Sequence, residues 1–222
     1  MTGPWVTNFA ASPYTVLTTN AQMFYKVQIH ANPISINFSG SGTLMGSAEI
    51  AGVVPETNWN NAINSGGSLS LNDATGNASG ATATWSANGV YSTGVSDTAG
   101  NNRMMKNYLD TGNTITTTVT VIGLPQNISG WNVYVYCDGN NYETRKGTYT
   151  IIGTGITTIS IIGIDTASTD FSGTFTKAAN SAGNYVLFSI PNVSGFTVSA
   201  TPIANGATYP RAPVNGIQII PK

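Results

Sequence analysis

Thr114-Ile115-Thr116-Thr117-Thr118-Val119-Thr120-Val121-Ile122, running directly into Gly123-Leu124-Pro125, is a run of β-branched residues closed by turn formers. Such side chains are stiff at χ1 and suit a pleated sheet better than a helix. The run predicts a strand over 114–122 that ends at the Gly-Leu-Pro turn. The same features predict strands at Ile34–Phe38, Ala81–Ala87, Trp131–Cys137, Gly147–Ile152, Ile156–Ile162, Asn184–Ile190, Phe196–Ala200 and Val214–Ile220, each bounded by Gly, Asn, Asp or Pro. In the first of these, Ile34, Ile36 and Phe38 point one way and Ser35 and Asn37 the other. Short strands at this spacing predict a sandwich. Helix is scarce. The best candidate is Asn102 to Leu109, where Met104, Met105, Tyr108 and Leu109 share a side behind an Asn able to cap. Ser65–Gly80 and Ala178–Gly183 read as surface loops.

Composition supports an all-β chain that folds. Charged residues make up 8% of the 222 and hydrophobic ones 41%, so the chain lacks the charge excess that keeps segments disordered. Its polar fraction is mainly Thr, Asn, Gly and Ser, the mixture of strands punctuated by turns. A net charge of -1, with eight Lys plus Arg scattered along the sequence, gives no footprint for nucleic acid or an anionic membrane surface. Residues 31–222 are expected to form one β-sandwich domain. Residues 1–30 hold Trp5, Phe9, Tyr14, Phe24 and Tyr25 without clear period, and read as an N-terminal extension packed on that body. No apolar stretch of about 18 residues is present, and the first residues lack the basic and apolar regions of a signal peptide. A piece of a larger secreted or cell-surface protein is the expectation.

Groups that titrate or coordinate are few: one His, one Cys, three Glu and six Asp. His30 has no second His to pair with, and Cys137 at a strand end reads as a small buried hydrophobe. Glu49, Glu56 and Glu143 would form a glycosidase pair only if loops brought two of them within about 5–10 Å. Asp97 heads the loop to Asn102 and Asp138 the loop to Asn141; their oxygens are suited either to turns or to a structural calcium ion.

Sugar recognition needs flat aromatic faces and planar amides, carboxylates or Arg forks, which this chain does supply. Asn58-Trp59-Asn60-Asn61 places a Trp among three amides, either as a binding face or as a loop anchor with capping amides. Trp85 and Trp131 alternate with apolar residues and read as core, whereas Tyr91, Tyr142 and Tyr209 lie in turn-rich stretches. Three loops are therefore expected to form a carbohydrate site: Asn58, Trp59 and Asn60; Tyr91, Asp97, Asn101 and Arg103; and Asp138, Asn140 and Tyr142.

Five runs in order, Ile34–Phe38, Ala51–Pro55 with Asn58–Asn61, Asn101–Lys106 with Tyr108–Asp110, Val133–Tyr136 and Arg211–Ile219, resemble the β-sandwich modules appended to secreted bacterial polysaccharide-active enzymes and surface proteins. These modules are similar in fold to malectin-like and galactose-binding-like domains. The resemblance spans residues 34 to 220 and implies a jelly-roll-like antiparallel β-sandwich with at most one or two short helices, whose opening and closing strands are adjacent. Together with the aromatic and amide loops and the scarcity of titratable groups, it leads to the expectation of a non-catalytic, monomeric carbohydrate-binding module that tethers its parent protein to polysaccharide or glycan. A structural subunit of a capsid, fibre or adhesive layer, and a glycan-cleaving enzyme, are the competing expectations.

Overall fold

The computed structural model describes residues 31–40, 44–127, 129–140, 142–167 and 170–222. The expected extension over 1–30, with His30, lies outside the described residues. Strands β1 (Ile34–Ser39), β2 (Asn60–Ile63), β3 (Gly66–Asn72), β4 (Ala78–Ser86) and β5 (Gly89–Ser92) precede α1 (Asn101–Lys106). Then follow β6 (Asn107–Asp110), β7 (Thr117–Ile122), β8 (Trp131–Tyr136), β9 (Arg145–Gly153), β10 (Ile156–Asp165), β11 (Ser181–Ala182), β12 (Tyr185–Ile190), β13 (Gly195–Pro202) and β14 (Gly216–Pro221).

One five-stranded sheet runs β12-β8-β14-β1-β2 and one seven-stranded sheet runs β11-β10-β9-β13-β7-β4-β3. Their pairings are antiparallel except β1 with β2 and β10 with β11. The chain is thus an all-β sandwich. Its opening and closing strands are neighbours, with Ile34 opposite Ile219 and Ile36 opposite Ile217. Between the sheets lies a core to which the first contributes Ile34, Ile36, Phe38, Val133, Val135 and Ile219, and the second Ala83, Trp85, Val119, Val121, Ile151 and Val198. Trp131 and Trp85 are core residues, the latter edge-on to Phe38 with ring centroids 6.2 Å apart. Gly67 is required beside it, because a Cβ there would fall 2.8 Å from the Trp85 ring. Along β7, Val119 and Val121 point into the core while Thr118 and Thr120 face outward, and the Thr120 hydroxyl is bonded across the strands to that of Thr197 at 2.9 Å.

The strand expected over 114–122 begins only at Thr117, and Ser181–Ala182 of the expected 178–183 loop pair as β11; three further differences shape the site. First, β1 is buried at all six positions, not on alternate ones. The second face of the five-stranded sheet is covered by the segment before β2 and by α1, whose Met45, Ala51, Trp59, Met104 and Met105 form a second core with Tyr136 and Phe171. Sheets covered on both faces lose their polar alternation, and most polar groups left beneath the cover are hydrogen-bonded, Asn37 Oδ1 being a buried exception. Gln218 Nε2 donates to Val54 O at 2.9 Å and its Oε1 accepts from the Tyr136 hydroxyl, while Tyr136 Oη accepts from Val53 N–H at 2.7 Å. Second, the helix stops at Lys106 and residues 107–110 become strand β6, which pairs with β5. No side chain caps α1; Asn102 Nδ2 donates instead to Ser96 Oγ at 3.1 Å. Third, Gly66–Asn72 forms an edge strand on β4 where a surface loop is expected, its weak local signal overridden by tertiary pairing.

Candidate functional site

The first expected loop is part of the scaffold. Trp59 is 4% exposed, packs on Tyr136 with centroids 6.2 Å apart, and donates Nε1–H to Glu56 O at 3.0 Å. It offers no face to a ligand, which corrects its assignment as a binding residue. Asn60 is buried too: its amide donates to Ser35 O and Asn72 O at 2.9 and 2.8 Å and accepts from Asn72 N–H at 2.8 Å, stitching β1 to β3. Asn58 sits at φ 54°, a region Asn tolerates, and donates to Ala74 O at 2.8 Å. Both amides are spent on main-chain groups of the scaffold.

The second loop divides. Arg103 pairs with Asp97 at 3.0 Å and with Glu49, whose carboxylate also accepts from Gly46 N–H and Gly100 N–H at 2.9 Å each. Burial raises the Glu49 pKa, but the two amide bonds and Arg103 outweigh it and leave the carboxyl below its ordinary value. Asn101 Oδ1 accepts from Gly52 N–H at 2.9 Å. Asp97, Asn101 and Arg103 therefore bind the covering segment to the helix. Among the described residues no three His, Cys, Asp or Glu side chains converge to hold a metal ion.

In the third loop Asp138 is 2% exposed, with Oδ2 accepting from Phe171 N–H at 3.3 Å and its own N–H bonded to Asn215 Oδ1 at 2.7 Å. Burial pushes its pKa up to about 7, against the lowering bond from Phe171, and that of Asp165 up to about 8, with the charge of Asp138 adding to the rise. Both line a cavity of about 390 Å³ with Asp170, Phe171 and Asn184. Asp138 is a buried acid, not a solvent-facing sugar ligand. Burial likewise pushes the Cys137 thiol up, in keeping with an inert side chain.

Tyr91, Asn140 and Tyr142, by contrast, come together. They line a cleft of about 270 Å³ with Tyr108, Asp110, Arg145, Tyr209 and Arg211. The β5–β6 ribbon sets Tyr91 opposite Tyr108 with rings 6.1 Å apart, and burial raises the Tyr108 phenol above its ordinary pKa. Leu109 bonds to Val214 in both directions, at 2.9 and 3.3 Å, which brings β6 beside the chain entering β14. Asp110 and Arg211 meet there at 2.8 Å. On the opposite wall Arg145, at the head of β9, donates to Asn140 O at 3.3 Å and to Tyr209 O, and pairs with Glu143 at 3.3 Å. Tyr91, Tyr142 and Tyr209 stand 53%, 81% and 54% exposed around the opening. The cleft thus presents aromatic faces, a carboxylate, two guanidinium groups and an amide, and its charges are paired.

Tyr108, Asp110, Arg145 and Arg211 are the residues that the loop-by-loop reading does not reach. The available signal is the position of Asp110 and Arg211 inside two of the runs that carry the resemblance, with Arg211 close after the turn-borne Tyr209. Asn215, in the last run, explains why such runs read as fold signatures. Its amide donates to Met105 O, Asn107 O and Asp138 O at 2.9 to 3.1 Å, joining the strand, helix and loop that shape the cleft.

No protein-family model matches the chain, and no curated protein matches it. Among solved structures, the ANXUR1 extracellular domain from Arabidopsis thaliana is similar over 83% of this chain and 46% of that one, at 15% identity and a TM-score of 0.44. The chain therefore spans about half the length of that structure. Among the described residues no helix is long and apolar enough to cross a membrane.

Proposed function

We propose that this chain is a non-catalytic glycan-binding module whose site is the cleft formed by Tyr91, Tyr142 and Tyr209 with Asp110, Asn140 and Arg211, its wall held by the buried Arg145. One observation carries the reading: three solvent-facing tyrosines surround a cleft walled by a paired carboxylate and guanidinium. Pyranose C–H faces stack on such rings, and vicinal hydroxyls match the planar carboxylate, amide and Arg groups. Each ring that loses about 60–80 Å² of apolar surface contributes on the order of 2 kcal/mol, and a millimolar complex needs about 4. Two stacked rings with a few hydroxyl bonds give weak, millimolar-range recognition. Such affinity suits a module that keeps a secreted, extracellular bacterial protein near polysaccharide, where linkage supplies effective concentration.

Support for the absence of catalysis comes from how the carboxylates are used. Glu49 is tied to Arg103 and two amides, Glu143 to Arg145 and two amides, and Asp138 and Asp165 are buried. None of these four is free to serve as one of two solvent-facing acids flanking a glycosidic bond, which leaves Glu56, whose pKa burial raises, without a second free glutamate to pair with. Affinity electrophoresis of the intact chain through soluble β-glucan, xylan and galactomannan gels tests the proposal. Retardation on at least one gel, weakened but still measurable in Tyr209→Ala and Tyr142→Ala variants that melt like the wild type, is expected. Unretarded migration of the wild type through all three, or retardation equal to wild type in both variants, refutes it.

A further inference from the structure

Tyr209 is half-exposed in an irregular stretch, yet its backbone is held from both sides. Glu143 uses both carboxylate oxygens on consecutive amides, Oε1 accepting from Thr208 N–H at 3.1 Å and Oε2 from Tyr209 N–H at 2.9 Å. Arg145 takes the Tyr209 carbonyl and also donates to Asn140 O at 3.3 Å and to Glu143 at 3.3 Å. Asn205 Nδ2 adds a bond to Thr144 O at 3.1 Å. From the cleft side, the Arg211 guanidinium lies 5.8 Å from the Tyr209 ring centroid and is itself anchored by Asp110.

Two features separate this cluster from an ordinary surface ion pair. Arg145 is only 5% exposed, and a buried guanidinium is tolerated only when its donors are satisfied. Here the carbonyls that satisfy it belong to the two loops bearing Asn140 with Tyr142 and Tyr209. The Glu143 carboxylate, in turn, spends its oxygens on main-chain amides of the second loop, not on another surface charge. Holding an exposed aromatic in place before a ligand arrives removes the ordering cost that binding would otherwise carry.

We infer that Glu143 and Arg145 are positioning residues that fix Tyr209 as the preformed stacking platform of the cleft, and that they act on ligand affinity through Tyr209 and not by touching sugar. The inference rests on the proposed glycan-binding reading, and the tests below separate its failure from that of the reading itself. Amide hydrogen exchange on the free protein reads the clasp without any ligand. Thr208 and Tyr209 amides should be protected in the wild type and exchange at least tenfold faster in Glu143→Ala, with Glu143→Gln in between because one acceptor oxygen remains. Equal exchange at both amides in wild type and Glu143→Ala overturns the clasp, whether or not any polysaccharide binds.

A double-mutant cycle then reads the effect on affinity, using the gel polysaccharide that retards the wild type most. Glu143→Ala should weaken retardation about tenfold in the wild-type background and leave it unchanged in the Tyr209→Ala background, because the two residues act as one unit. Arg145→Lys should behave like Glu143→Ala, since an ammonium lacks the fork that reaches two loops at once. Equal losses in both backgrounds would make Glu143 a direct ligand contact or a general stabiliser and would overturn the inference. Absence of wild-type retardation on every gel, with the exchange result intact, would sink the glycan reading and leave the clasp standing as a property of the loop.

Discussion

Replacing Trp59 with alanine gives the sharpest division between a scaffold and a binding role. The indole is 4% exposed and packs on Tyr136 in the second core, and its Nε1–H is bonded to Glu56 O. Truncating a buried Trp costs about 3–5 kcal/mol through lost transfer energy and the cavity left behind. The loosened cover over Gln218 and Tyr136 places Trp59 towards the upper part of that range. For a chain of this length, about 2–4 °C of melting temperature is lost per kcal/mol, so Trp59→Ala should melt roughly 10–15 °C below wild type by calorimetry. Trp59→Phe should recover most of the loss, because the ring packing returns and only the Glu56 bond is missing. Polysaccharide retardation measured well below the melting transition should be unchanged in both variants. A melting temperature within about 2 °C of wild type, combined with abolished retardation, would refute the assignment of Trp59 to the core.

Gly52→Ala should cost at least about 2–4 kcal/mol, seen as a lower denaturant midpoint: φ is 101°, which L side chains disfavour by about 1–2 kcal/mol, and the new Cβ would fall 2.3 Å from Gln218 Oε1, breaking a buried hydrogen-bond network. Stability should also depend on the buried acids. Their folded pKa values, about 7 for Asp138 and about 8 for Asp165, lie above the ordinary 3.8, so between pH 4 and 8 the folded chain retains protons that the unfolded chain releases. The melting temperature should therefore fall as pH rises from 5 to 8.5, and Asp165→Asn should flatten that decline; a curve rising over this range in wild type would contradict the burial argument. Cys137, 2% exposed with its thiol pushed up by burial, should resist iodoacetamide in the native state and label within minutes in denaturant, as followed by mass spectrometry.

What the sequence discloses and what it hides divide along the range of the interactions involved. The strand centred on Val119 is legible because its stiffness and alternation are properties of neighbouring residues, and the same holds for the strands around Val133, Ile151 and Val198. Whether Trp59 faces water is decided by Tyr136 and Gln218, which arrive on strands far along the chain and lie beneath the cover. An amide-flanked Trp reads identically in either case. The polar residues of β1 mislead for the same reason: Ser35 and Asn37 alternate like a solvent face, yet the segment from Met45 to Trp59 closes over them.

The cleft follows the same rule. Tyr91, Tyr142 and Tyr209 are visible as aromatics in turn-rich stretches, where a tyrosine has little local reason to be buried. Their union depends on contacts between remote segments, Tyr209 to Glu143 across 66 residues and Arg211, in the stretch before β14, to Asp110 at the end of β6. Arg145 shows how such a contact could still be anticipated. Buried positions in a strand normally take apolar residues, and an arginine at the first position of β9, followed by the alternating Gly147, Tyr149 and Ile151, breaks the inward pattern. A charge at an inward position must find partners or destabilise the fold, and the nearest unpaired main-chain groups belong to loops. An arginine that interrupts the core face at the end of a strand therefore points to a loop that has to be held still, and in this chain that loop carries Tyr209.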